Sequence, residues 1–198
     1  MYRCLIVNKM FINSEQNVCF MATIFPREKG RIMEYILDNP SKPVKVRGLA
    51  KELKVSPAYV SRSLKLFEKL KIIRDGKVDL SNPLTRALKT LVNVKRLIDN
   101  RVVEILQRLG AVGAGVYGSW ASGTNTEDSD VDIWIKMDKH PGELRIASVS
   151  AEIRSLLKKN VQILVLTPER LEGLRTNDPS FYYSLISGSI VLYGEHVE

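Results

Sequence analysis

The run GSWASGTNTEDSDVDIWI, residues 118–135, restricts what this chain can fold into more than any other stretch. Gly118 and Ser119 follow a small-residue run that reads as a strand, and ten residues separate Ser119 from Asp130. Asp130-Val131-Asp132 then opens a second, apolar strand. Side chains alternate faces along a strand, so Asp130 and Asp132 share one face while Val131, Ile133 and Ile135 share the other. Two neighbouring carboxylates repel unless a cation lies between them. A hard divalent ion with oxygen ligands, magnesium above all, suits such a pair. If Gly118-Ser119 opens a helix, its free backbone N–H groups and hydroxyl suit a phosphate. A phosphate cradle beside metal carboxylates is equipment for nucleotide chemistry.

Charge divides the chain. Residues 1–110 hold 22 Lys and Arg against 10 Asp and Glu, whereas residues 111–198 hold 8 against 12. The overall +8 therefore hides a basic first part and an acidic second part, an asymmetry that predicts two domains with different partners, the basic one suited to nucleic acid. A solvated lysine-rich surface would show the same charge. The 198 residues suffice for one large or two small domains, and no run of about 18 apolar residues predicts a membrane span. Asn8 and Lys9 interrupt the first apolar run, so a signal peptide is not expected. Cys4 and Cys19 then read as free thiols of a reducing compartment, and a cytoplasmic protein with no membrane partner is the expectation. Residues 1–25 carry no clear signal: they are an extra strand or a loose tail, with Met21 as an alternative start.

Helical periodicity begins at residue 28. Ile32, Met33, Ile36 and Leu37 mark a helix over residues 28–37 that Asn39-Pro40 ends, and Leu49, Ala50 and Leu53 mark a second over residues 46–53. Ser56 as N-cap and Pro57 at the first helical position start a third, with Val60, Leu64 and Phe67 inside and Leu70 closing the stripe. Asp75-Gly76 between two short apolar runs predicts a hairpin. LAKELKVSPAYVSRSLKLFEKLKII and the RDGK turn resemble the winged helix-turn-helix family, over roughly residues 28–80 within an expected domain of 26–81. The resemblance implies that the third helix enters the major groove of double-stranded DNA, with Tyr59 and Arg62 as base or phosphate contacts and Lys65, Arg74 and Lys77 on phosphates. Winged helices also serve as dimerisation or protein-docking modules.

Asn82-Pro83 punctuates the chain. Leu84, Leu88, Leu91, Ile98, Val102, Ile105, Leu106 and Leu109 keep a 3.6-residue period up to Gly110, predicting a connecting helix over 82–110 that is either continuous or broken near Asp99-Asn100. Strands and helices then alternate over 111–198: strands at 112–117, 131–136, 161–166 and 190–193. Between them come an amphipathic helix at 143–158 (Leu144, Ile146, Val149, Ile153, Leu156, Leu157) and short helices from Pro168 and Pro179. The predicted fold class is α/β (α+β), a winged helix followed by a mixed sheet with flanking helices.

Gly-Ser, ten residues and Asp-x-Asp at the head of a strand resemble the nucleotidyltransferase superfamily that includes DNA polymerase β, most closely its small minimal members, over roughly residues 95–198. The resemblance implies that Gly118 and Ser119 bind the phosphates of a nucleoside triphosphate. It also implies that Asp130 and Asp132 are catalytic and hold magnesium, where paired ions stabilise both the entering and the leaving oxygen. Asp128, Asp130 and Asp132 also begin like a calcium-binding loop, but its glycine and closing glutamate are absent and apolar residues follow directly. Trp120 and Trp134 read as core. Active members of the family place a third carboxylate on the neighbouring strand; here Gln162 holds that position, offering a carbonyl oxygen but neither charge nor base. Ser122 replaces an arginine common three positions after the serine. The implied function is transfer of a nucleoside monophosphate, ATP being the expected donor, to a hydroxyl. The alternative is a DNA-binding regulator, antitoxin-like, whose second domain binds nucleotide or a partner with little catalysis. Minimal members often pair with toxin-like proteins, so such a partner, or a homodimer, is expected.

Overall fold

The structure, a computed structural model, describes residues 27–198. Cys4, Cys19, Met21 and the expectations for residues 1–25 lie outside the described residues.

Helices α1 (Arg27–Asp38), α2 (Val46–Leu53) and α3 (Pro57–Lys69) form a bundle around Ile32, Met33, Ile36, Leu37, Leu49, Val60, Leu64 and Phe67. The start of α3 follows from its sequence: Ser56 Oγ accepts the Tyr59 N–H at 3.3 Å, and Pro57 has no N–H to satisfy. Leu70 does not close the stripe. It lies 40% exposed, because α3 ends at Lys69 and the chain turns away through Lys71 at φ +57°. Strands β1 (Ile73–Arg74) and β2 (Lys77–Val78) pair antiparallel about Asp75 and Gly76, both at positive φ, the backbone that a two-residue hairpin demands.

Of the two readings of residues 84–109, the structure takes the broken one. Helix α4 (Pro83–Asp99) stops at Asn100, Arg101 adopts φ +57°, and α5 (Val102–Leu109) follows. The buried line of α4 also differs from the leucine stripe expected. Leu84 and Ile98 are exposed, while Thr85, Lys89, Val92, Asn93 and Leu97 are buried. The reason is that α4 is covered on more than one side. Val92, Leu88 and Leu91 pack into the helical bundle and Leu97 into the core under the sheet. Two of the buried polar side chains of α4, Lys89 and Asn93, bond to other elements, the Lys89 ammonium donating to the Leu37 carbonyl at the end of α1.

The rest is a mixed sheet with flanking helices: β3 (Gly113–Tyr117), α6 (Gly118–Ser122), β4 (Val131–Lys136), α7 (Glu143–Leu157), β5 (Val161–Leu166), α8 (Pro168–Asn177), α9 (Pro179–Gly188) and β6 (Ile190–Gly194). The order is β5-β4-β3-β6, with β4 and β5 parallel and β3 antiparallel to both of its neighbours. Val131, Ile133 and Ile135 pack with Val102, Ile105, Leu106, Ile153 and Leu157 in one core. Trp134 belongs to another, with Leu166, Leu185 and Val197. Full burial of each such side chain stabilises the fold by roughly 1.5–3 kcal/mol. The small residues of β3 make room for this packing: a Cβ on Gly115 would lie 2.5 Å from the Trp134 ring and 2.6 Å from the Ile190 carbonyl. Leu144 and Leu156 depart from the expected apolar face of α7 and are exposed. The packed line is Ile146, Val149, Ile153 and Leu157, from which those two are rotated. Among the described residues no helix is long and apolar enough to cross a membrane.

Candidate nucleotide and metal site

Asp132 is the second residue of β4, in register with Tyr117 on β3 and Gln162 on β5. Gly118 directly follows Tyr117 and adopts φ +63°. A Cβ built there would lie 2.7 Å from Asp132 Oδ2, so backbone conformation and the nearby carboxylate both require glycine. Residues 14 apart in sequence are thus brought into contact by the β3–β4 pairing.

Gly118 and Ser119 open α6, as expected. The Ser119 carbonyl accepts N–H groups from Thr124 (3.0 Å) and Asn125 (3.3 Å), which folds the loop leading to Asp130 back onto the helix. Ser122 turns inward to the same carbonyl (3.3 Å) and to Thr124 Oγ1 (2.9 Å), so it offers nothing that replaces an arginine. Asp130 stands just before β4, and one of its oxygens accepts a 2.8 Å hydrogen bond from Gln162 Nε2. Because β4 continues as a strand through Lys136, the three aspartates do not begin a calcium loop.

Burial, and then the charge of Asp130, raise the pKa of the Asp132 carboxyl above the usual carboxylate range. A divalent cation between the two carboxylates would relieve their repulsion, and its charge would polarise a bound phosphate. The donor set ends there. Among the described residues no group of three or more His, Cys, Asp or Glu could hold a metal, and Gln162 presents its amide N–H toward Asp130, not its oxygen.

Tyr117, beside Asp132, and its neighbours Phe181 and Arg170 escaped the sequence reading. The Tyr117 ring meets Phe181 of α9 edge-on at 6.2 Å between centroids. Its hydroxyl pKa is raised by burial and by the Asp132 charge, against the opposing charge of Arg170. Only the position of Tyr117, directly before Gly118, could have flagged it; Phe181 and Arg170 come from distant segments. Asp130 also lines an open cleft of about 380 Å3, whose walls include Glu127, Arg154, Lys158 and Lys159.

The residues expected to contact DNA are separate from this site. On α3, the Arg62 guanidinium lies 5.9 Å from the Tyr59 ring centroid, and both Arg62 and Lys65 are exposed. On the hairpin Lys77 is exposed, while Arg74 forms a 2.9 Å ion pair with Asp79.

The mixed sheet thus seats a Gly-Ser turn against an Asp-x-Asp pair. Residues 99–186 match the model of the nucleotidyltransferase domain family. The chain is similar to the protein adenylyltransferase MntA of Thermococcus cleftensis, 29% identical over 79 residues, which cover 40% of this chain and 80% of that protein. Among solved structures, a toxin–antitoxin complex with AMP-PNP aligns at a TM-score of 0.40 and 17% identity, over 48% of this chain and 73% of that one. A Shewanella oneidensis complex of MNT antitoxin with a tri-AMPylated HEPN toxin aligns at 0.37 and 14%, over 54% and 73%.

Proposed function

We propose that this protein is a magnesium-dependent nucleotidyltransferase that moves the nucleoside monophosphate of ATP onto a hydroxyl of a protein partner, and that its first part, residues 26–81, binds double-stranded DNA as a winged helix. The observation that carries the first reading is the contact of Gly118 with Asp132, which sets a phosphate-binding turn against paired carboxylates. The similarity to a protein adenylyltransferase supports adenylyl as the group moved and protein as the acceptor. A toxin-like partner is the proposed source of that hydroxyl.

In this reading Gly118 and Ser119 hold the triphosphate and Asp130 and Asp132 hold the ion. The acceptor oxygen bonds to the α-phosphorus as the bond from that phosphorus to the β-bridging oxygen breaks. Pyrophosphate leaves, and the hydroxyl proton passes to water because Gln162 accepts none. The DNA reading rests on the capped third helix, the positive-φ hairpin, and the exposed Arg62, Lys65 and Lys77 in the basic part of the chain. Incubation with α-labelled ATP, magnesium and candidate partners tests the enzyme. Label should appear on a protein and vanish with Asp130→Asn; absence of label across acceptors sinks the reading.

A further inference from the structure

Helix α6 has only five residues, too few to satisfy its own carbonyls. Two of the missing donors come from α4. Asn93 Nδ2 donates to the Trp120 carbonyl (2.8 Å), and Thr90 Oγ1 donates to the Ala121 carbonyl (3.0 Å). Asn93 Nδ2 also donates to Asn125 Oδ1 at 2.8 Å, and Asn125 lies in the loop that delivers Asp130. Both asparagines are buried, at 2% and 4% exposure. The approach is close enough to dictate a glycine: a Cβ on Gly123, at φ +68°, would lie 2.2 Å from the Arg86 carbonyl of α4. One amide therefore bonds at once to the helix that begins with Gly118-Ser119 and to the loop that ends at Asp130. It belongs to a helix that precedes most of the matched nucleotidyltransferase stretch and packs into the N-terminal bundle.

We propose that Asn93 is a positioning residue for nucleotide binding, holding the phosphate-binding turn and the Asp130 loop in register with each other. It rests on the nucleotide-site reading above and touches neither nucleotide nor metal. A purely structural role would make Asn93 one more contributor to folding, so the test separates geometry from stability.

Three full-length variants decide it. Asn93→Leu keeps the volume and removes both donations; Thr90→Ala removes only the helix contact; Val92→Ala opens a cavity toward the N-terminal bundle alone. Amide hydrogen exchange reads the brace without any ligand: Asn93→Leu should lose protection across residues 118–132 while α1 and α3 keep theirs. Affinity for ATP with magnesium, measured by calorimetry, should fall roughly ten-fold or more in Asn93→Leu, less in Thr90→Ala, and stay at the wild-type value in Val92→Ala even where that variant melts lower. The proposal is overturned if Asn93→Leu binds ATP as the wild type does, or if Val92→Ala loses as much affinity. If the wild type and Asp130→Asn both bind no nucleotide, the reading of the site itself fails. In that case the exchange result still reports whether the brace exists, but the proposed role falls with the site.

Discussion

Gln162 donates its side-chain amide to Asp130 at 2.8 Å from the β5 position in register with Asp132. A neutral donor thus occupies the place beside the acid pair where a third negative charge would serve both metal and proton. Gln162→Glu should bind magnesium more tightly and raise the rate of transfer. A positioned base contributes about 10²–10⁴-fold, so a gain of at least about ten-fold in single-turnover labelling is expected. Without magnesium the same variant should melt lower than the wild type, since three carboxylates then repel. A rate at or below the wild type counts against this role for the strand position.

Gly118→Ala puts a methyl group 2.7 Å from Asp132 Oδ2 and forces alanine into φ +63°. The backbone alone costs about 1–2 kcal/mol. The carboxylate must also move, so the rise in melting temperature on adding magnesium and ATP should shrink or disappear. An unchanged ligand-induced shift would show that Asp132 is not held against the turn for binding.

How much of this could be read in the sequence depended on whether the deciding contact was local. The start of α3 was legible because Ser56 and Pro57 act within one turn, and the β4 faces were legible because alternation is a property of the strand itself. The Gly-Ser and Asp-x-Asp groups could be named as one site because their residue types are complementary. By contrast, α4 was misjudged: its leucines looked like the inner stripe, whereas Lys89 and Asn93 lie inside because α1, α6 and residue 125 supply partners for their polar ends. Nothing in the helix's own residues announces those partners. The same holds for Phe181 and Arg170, which reach the site only through the fold.

Lys89 predicts a pH dependence. It is 1% exposed, and burial lowers its pKa from 10.5 to about 8, against the opposing charges of Asp38 and Glu127. Between those values the unfolded chain still holds a proton that the folded chain has released. The contribution of this residue to stability therefore rises with pH, by up to about 1.4 kcal/mol per unit. Below about pH 8 both states are protonated and the full cost of burying the charge is present. Urea unfolding of the wild type and of Lys89→Met should show their difference shifting in favour of the wild type from pH 8 to 10. A constant difference would mean that the ammonium is not penalised.

For DNA, the prediction concerns salt. Plots of log affinity against log salt should be steep for the wild type, and removing Lys65 or Lys77 should reduce the slope by about 1 each, with similar losses on unrelated sequences. Arg62→Ala should weaken binding most on the preferred sequence. If Arg62→Ala and Lys65→Ala bind duplex DNA like the wild type, α3 is not the DNA-reading helix.

Because α4 places Val92 in the core of the bundle and Leu97 in the core beneath the sheet, neither core is complete without it. Heating should therefore melt both parts in one calorimetric transition, with equal van't Hoff and measured enthalpies. A chain that starts at α5 would lack Leu97, Thr90 and Asn93, and should gain a native-like melting profile only when α4 is restored.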